Sequence, residues 1–290
     1  YIMVGMKQYI NLFSFFNVAC LKKTNFLVYL LYMISKKPFL FCIIAFASFL
    51  PSCAIPEAAR RKINPPVKHF VKVVKHLTVK RCKKKEKTPK CETRHFYSSG
   101  SGLIISISKK KKIVLTAGHV CRTAGIKEED KEYVYRWIET VKVLDSEKRV
   151  HDSHIILAAQ HSPPQDTADL CSLYVPSLHY ISKHSNLKIS SRKPRVGEDI
   201  FYLGAPKGIY HPPTVLIIKG TYNGPIDNVA ASATLRAGPG SSGSVILSHR
   251  NEIYGVLFAV HPSFDSASVI TTYEKTKDFL EKTDKALRLD

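Results

Sequence analysis

Ala237-Gly-Pro-Gly-Ser-Ser-Gly-Ser-Val245 is the stretch on which the reading of this chain turns. Glycines before and after adjacent serines mark a tight turn with a nucleophile at its tip. Upstream, Val114-Leu-Thr-Ala-Gly-His-Val120 carries His119 at the end of an apolar run, and Asp169-Leu-Cys-Ser-Leu173 opens another run with an aspartate. The order is His, Asp, Ser, with separations of 50 and 73 residues. A serine hydroxyl is a poor nucleophile at neutral pH and needs a base within hydrogen-bond reach. Histidine suits that task because its ordinary pKa, near 6.5, leaves it mostly neutral at pH 7. A carboxylate on the other ring nitrogen fixes the tautomer and stabilises the imidazolium as it forms. The candidates are therefore His119 as base, Asp169 as orienter and Ser242 as nucleophile. Asp166 is a rival carboxylate, and Ser241 and Ser244 are rival nucleophiles. The glycine-rich turn also lets the amides of Gly240 and Ser242 converge on one point, as an oxyanion hole requires.

At these residues the chain resembles the chymotrypsin-like (trypsin-fold) serine peptidases, and within them the Deg/HtrA-type branch. That family carries Thr-Ala-Ala-His or Thr-Asn-Ala-His, an aspartate opening a hydrophobic strand, and Gly-x-Ser-Gly-Gly or Gly-x-Ser-Gly-Ser. The last motif selects Ser242, and the strand motif favours Asp169 over Asp166. Gly100-Ser-Gly-Leu-Ile-Ile105 and Val196-Gly-Glu-Asp-Ile-Phe-Tyr-Leu-Gly-Ala-Pro206 fit the same pattern, so the resemblance covers roughly residues 67–285. What remains after it is too short for the PDZ domain of that branch, and none is expected.

The resemblance implies an all-β fold of two six-stranded β-barrels with a carboxy-terminal α-helix, and a serine endopeptidase acting on protein or peptide substrates. It also implies that Gly255-Val-Leu-Phe-Ala-Val-His261 lines the primary pocket, with Phe258, Ala259 and Val260 along the substrate backbone. Arg236, six residues before the nucleophile, stands where trypsin-like enzymes keep a pocket-floor aspartate. Its charge disfavours Lys or Arg before the scissile bond, and small apolar or acidic residues are expected there. Ser241 replaces the aspartate that digestive relatives pair with a newly cut amino terminus, so activity without that cleavage is expected.

The residues themselves support the all-β reading. Residues 67–81 alternate apolar with basic, residues 92–107 form a second run and Ile113–Ala117 a third, as short strands between turns do. Residues 141–176 are expected to complete one barrel, 185–196 to connect, and the second barrel to run from Ile200 through Val260. Thr271–Leu287 reads as an amphipathic helix.

The formal net charge of +21 is unevenly spread: residues 53–112 hold 18 Lys/Arg against 3 Asp/Glu, and residues 113–290 hold 21 against 20. Lys83-Lys-Lys85 and Lys109-Lys-Lys-Lys112 fall where hairpin turns are expected, and like charge there discourages edge pairing. The competing reading is a surface for an anionic partner. No nucleic-acid motif is recognisable, and no nucleic-acid partner is expected. Twelve histidines make any one of them uninformative. His151 and His154 lack further ligands in order and are read as surface residues, so no metal or cofactor is expected.

Met33 reads as the better start. Basic residues, the 12-residue apolar run Phe39–Leu50 and Pro51-Ser52-Cys53 describe an export signal, with residues 53–66 as a linker and 67–290 as the protease domain. Twelve residues make about 18 Å of helix, short of the roughly 30 Å of hydrocarbon in a bilayer. Leu50-Pro-Ser-Cys53 resembles a bacterial lipobox, with proline at 51 in place of a small residue, and it would lipidate Cys53 and anchor the amino terminus to a membrane. Export leaves four cysteines. Cys82 and Cys91 bracket a basic turn and can clip a hairpin. Cys121 and Cys171 each lie two residues after His119 and Asp169, on the same strand faces, which suggests a second bridge. The competing functions are a non-catalytic peptide-binding module and a cationic surface protein on the same fold.

Overall fold

The computed structural model describes residues 63–84, 90–107, 111–123, 132–159, 168–180, 187–261 and 264–289. Met33, Cys53 and Asp166 lie outside them. Prolines 65 and 66 fix the chain into a 3-10 turn over Val67–His69, so the first strand starts three residues later than its alternation predicts. Strand β1 (Phe70–Lys83) pairs antiparallel with β2 (Cys91–Ser106) in unbroken register from Phe70↔Leu103 to Cys82↔Cys91. On its other side β1 pairs with β4 (Tyr133–Leu144). Beyond β2 come β3 (Lys112–Thr116), β7 (Leu170–Tyr174) and β6 (His154–Ala159), and β5 (Val150–Asp152) flanks β4.

The order is therefore β5-β4-β1-β2-β3-β7-β6, a seven-stranded sheet. Its two edges are consecutive in the chain, with only Ser153 between Asp152 and His154. The sheet must curl until its edges meet, and β5 with β6 makes one bent strand of what the sequence reads as a six-stranded barrel. The Ser153 hydroxyl donates to the Val141 carbonyl at this bend (2.6 Å).

The carboxy-terminal half is a closed barrel, in which β10 (Ala230–Thr234), β13 (Phe264–Thr271), β12 (Ile253–His261), β11 (Val245–Ser248), β8 (Asp199–Gly204) and β9 (Leu216–Pro225) follow one another around the ring. Alternation along its strands splits them between two cores. Ile200, Tyr202 and Ile246 face the barrel interior with Tyr222, Tyr254 and Ile270. Phe201, Leu203, Val245 and Leu247 face outward into the larger core, which also contains Phe70, Val73, Leu103 and Leu115 of the amino-terminal sheet. These strands are buried on both faces, which is why they read as continuous apolar runs.

Helix α2 (Tyr273–Leu289) closes the chain, laying Phe279, Leu280 and Leu287 on the larger core. Its Thr283 hydroxyl donates to Ser172 of β7 (3.2 Å), and its Tyr273 hydroxyl to the Ser190 carbonyl (2.7 Å). His151, expected at the surface, is instead buried, because its ring closes a network with Asp145 (2.9 Å) and Ser177 (2.6 Å). His154 is exposed.

Candidate active site

Strand β3 ends at Thr116 and the chain turns through the one-turn helix α1 (Gly118–Cys121), which carries His119. Asp169, 5% exposed, stands immediately before β7, the neighbour of β3. Its carboxylate accepts twice from one residue: from the His119 amide at Oδ1 (2.8 Å) and from the ring Nδ1–H at Oδ2 (2.6 Å). The second bond holds Nδ1 protonated and leaves Nε2 as the basic nitrogen. Only glycine fits at 118, since a Cβ there would lie 1.8 Å from the Ala159 carbonyl oxygen and 2.6 Å from Asp169 Oδ1. Two residues beyond the pair, Cys121 and Cys171 are joined by a disulfide (Cα–Cα 6.4 Å). Cys82 and Cys91 form another at the far end of the β1–β2 hairpin.

The serine loop lies between β10 and β11. Gly240 (φ +90°) and Gly243 (φ +88°) take left-handed conformations that favour glycine. A Cβ on Gly243 would also meet Thr116 Oγ1 at 2.0 Å. The Gly243 amide donates to Leu257 of β12 (2.7 Å), and the Ser242 carbonyl accepts from the Ser101 amide of β2 (2.8 Å). Ser242 is thus set between one strand from each half. Of the three serines, Ser241 and Ser244 are fully buried and Ser242 is half-exposed. Ser241 Oγ is engaged by Tyr202 (3.4 Å) and by the Gly238 amide (3.3 Å). Accessibility thus separates the three hydroxyls independently of the motif that singles out Ser242.

Several site residues have contacts that the sequence reading did not assign. Ser101, wholly buried, donates its hydroxyl to the Gly240 carbonyl (2.8 Å) and accepts from the Ala205 amide (3.0 Å). Its carbonyl accepts from Thr116 (2.7 Å), so one residue ties β2, β3, β8 and the serine loop together. Gly100 leaves room for both Val120 and the Ser242 carbonyl, each under 3 Å from where its Cβ would be. Lys75 lies on the inward phase of β1, where Val71, Val73 and Leu77 are apolar, and that break in phase is its signal in the sequence. Its ammonium donates to the His119 carbonyl (2.9 Å) and faces Glu139 at 3.8 Å, while burial pushes its pKa below the usual lysine value.

The substrate-side expectations fall around this loop. Phe258 and Ala259 are half-buried and Val260 is 37% exposed on β12. The Arg236 side chain is exposed, while its carbonyl accepts from the Tyr202 hydroxyl (2.6 Å). Among the described residues, no group of three or more His, Cys, Asp or Glu is arranged to hold a metal.

Residues 100–256 match the family model for the trypsin-like peptidase domain. The chain belongs to this family. The matched span contains His119, Asp169 and Ser242, and membership makes the protein a serine-type endopeptidase. No curated protein matches the chain in sequence. Among solved structures it is similar to the Rv3671c protease from M. tuberculosis in its active form, with 16% identity, TM-score 0.46, and 76% of this chain and 85% of that one covered. The serine endoprotease from Yersinia pestis gives 15% identity, TM-score 0.49, and coverages of 75% and 63%.

Proposed function

We propose that this peptidase cleaves polypeptides through a Ser242–His119–Asp169 triad and a seryl acyl-enzyme. The observation that carries the reading is the double hydrogen bond of the buried Asp169 carboxylate to His119; Ser242 is the accessible serine of the loop, and its carbonyl packs against Gly100 together with Val120, the neighbour of His119. Ser242 Oγ attacks the scissile carbonyl and forms a C–O bond as its proton passes to His119 Nε2. Asp169 stays ionised and stabilises the imidazolium. The tetrahedral oxyanion is held by the Gly240 and Ser242 amides, each such donor being worth on the order of 3 kcal/mol of barrier. His119 then protonates the departing amine as the C–N bond breaks. Water, deprotonated by the same nitrogen, attacks the acyl-enzyme and restores Ser242.

Ser241 is held by neutral partners, Tyr202 and the Gly238 amide, and needs no new amino terminus to order it. Activity is therefore expected without amino-terminal trimming. Small apolar or acidic residues are the proposed preference before the scissile bond. We also propose export through the apolar segment 39–50, with anchoring at Cys53. A fluorophosphonate probe tests the triad. It should label the wild-type chain and fail to label Ser242→Ala, whereas an unlabelled, folded wild type would leave a peptide-binding module on the same barrels.

A further inference from the structure

The network around His151 lines up a second aspartate, histidine and serine. Asp145 directly follows β4 and is 1% exposed. Its Oδ1 accepts from the amides of Glu147 (2.8 Å) and Arg149 (2.9 Å), and its Oδ2 from the Arg149 Nε–H (3.1 Å). Two amides and a guanidinium can only donate, so the group they surround is an ionised carboxylate. His151 Nε2, on β5 and 2.9 Å from Oδ2, must then carry a hydrogen. In the neutral ring that leaves Nδ1 as the acceptor. The Ser177 hydroxyl, 2.6 Å away, donates to it.

Burial is graded along this line as nucleophilic catalysis uses it. Asp145 and His151 are buried, and Ser177 is exposed. A brace that only stiffened the fold would not need its last member in solvent. The ring is turned relative to His119, with the carboxylate on Nε2 and the hydroxyl on Nδ1, but the division of labour is the same. One nitrogen is held protonated by a carboxylate, and the other is free to act as base. The site is also separate from the first. Asp169 precedes β7, and Ser177 lies in the 3-10 turn Pro176–Tyr180 beyond its other end. The strand between them spans about 17 Å. All three residues come from the amino-terminal sheet and its turns, so the serine loop takes no part.

We propose that Ser177 is a second nucleophile, activated by His151 and Asp145, that accepts acyl groups from activated esters independently of Ser242. Its Oγ attacks the ester carbonyl and forms a C–O bond as its proton passes to His151 Nδ1. Asp145 stabilises the imidazolium, and the bond to the leaving oxygen breaks with its electron pair. The imidazolium then releases the proton to solvent. Water attacks the acyl carbon with the same nitrogen as base, the C–Oγ bond breaks, and the proton returns to Ser177 as the acid leaves. An exposed hydroxyl offers little wall to grip a large substrate. The fitting donor is therefore a small acyl group on a leaving group that departs unprotonated.

The test uses the full chain carrying Ser242→Ala, with p-nitrophenyl acetate as the donor. This reagent asks the site only for a nucleophile and a base, whereas the fluorophosphonate depends on the oxyanion hole at Ser242. Mass spectrometry of the quenched protein should place the acetyl group on Ser177, formed about 100-fold or more faster than on any other serine. No such preference overturns the proposal. Acetylation of Ser177 at an undiminished rate in a folded chain that also carries His151→Gln overturns it too. A second variant leaves the buried pair untouched. With Ser177→Cys in the same background, the imidazole takes up the thiol's proton, and at pH 6 iodoacetamide should alkylate it about 10-fold or more faster than N-acetylcysteine. Equal rates would leave His151 a structural brace and end the proposal. Both readouts are taken without Ser242, so their failure spares the triad, and failure of the triad leaves them standing.

Discussion

The carboxy-terminal barrel closes through strand pairing all the way round, whereas among the described residues the amino-terminal sheet ends in β5 and β6, which are joined by the bend at Ser153. The disulfides follow this division. Both bridges lie in the amino-terminal half, at the hairpin end and between α1 and β7, and the other half has none among the described residues. Its interior is filled by Tyr202, Tyr222 and Tyr254 with aliphatic neighbours. A ring with a complete hydrogen-bond ladder needs no covalent help, while a sheet with an open edge and a long exposed arm gains from clips. The division of chemistry is parallel. The clipped half holds the base and its carboxylate, and the closed half holds the serine loop.

The largest expected effect cuts the chemistry and spares both architectures. Asp169→Asn should lower turnover by about 10⁴-fold through the wrong imidazole tautomer, with little change in thermal midpoint. A midpoint that collapses together with turnover would make Asp169 a structural residue first.

Next comes the covalent clip. Replacing Cys121 and Cys171 by alanine frees a loop with sequence separation 50, which should cost about 4 kcal/mol in the chain-entropy account. Trp137, the single tryptophan, lies in β4 and reports the amino-terminal half in urea titrations. Its transition should move to lower urea more than the tyrosine signal of the barrel does. Coincident shifts would mean that the shared core makes the halves unfold as one.

The converse variant is Gly220→Ala. A Cβ there would lie 1.8 Å from the Thr234 carbonyl oxygen across the β9–β10 pair. Prying open this closed ring should cost about 3 kcal/mol and move the tyrosine signal first. An unchanged midpoint would show that the ring tolerates what its geometry forbids.

The smallest effect is a pH dependence confined to the amino-terminal half. Burial, with the nearby Lys112 charge, lowers the pKa of His69 from 6.5 to about 4. Below pH 6.5 the unfolded chain takes up the proton first, so stability present above that pH is lost as pH falls towards 4. His69→Leu should flatten the urea midpoint across this window. A dependence that survives the substitution assigns the titration to another group.

Much of this was legible one strand at a time. Alternation in residues 67–81 and the run over 92–107 predict the β1–β2 hairpin to within a few residues, and the amphipathic pattern from Thr271 to Leu287 predicts α2. Prolines 65 and 66 displaced the first strand boundary, because turn geometry outweighs alternation locally. The seven-strand count was not legible, since a bend at one serine has no periodic signature. His151 misled for a related reason: its partners Asp145 and Ser177 reach it by folding and not by spacing.

By itself the order of residues determined the chemistry on offer, namely one imidazole, one carboxylate and a glycine-flanked serine in order, together with a β pattern to carry them. Tertiary structure alone decided which of three serines meets solvent, why a lysine on β1 reaches the histidine's carbonyl, and which side of β2 has no strand partner among the described residues. Composition and period are local quantities, set by side chains a few positions apart. Accessibility, ion pairing and an unpartnered edge depend on which distant segments arrive, and in what register, once the sheet has curled.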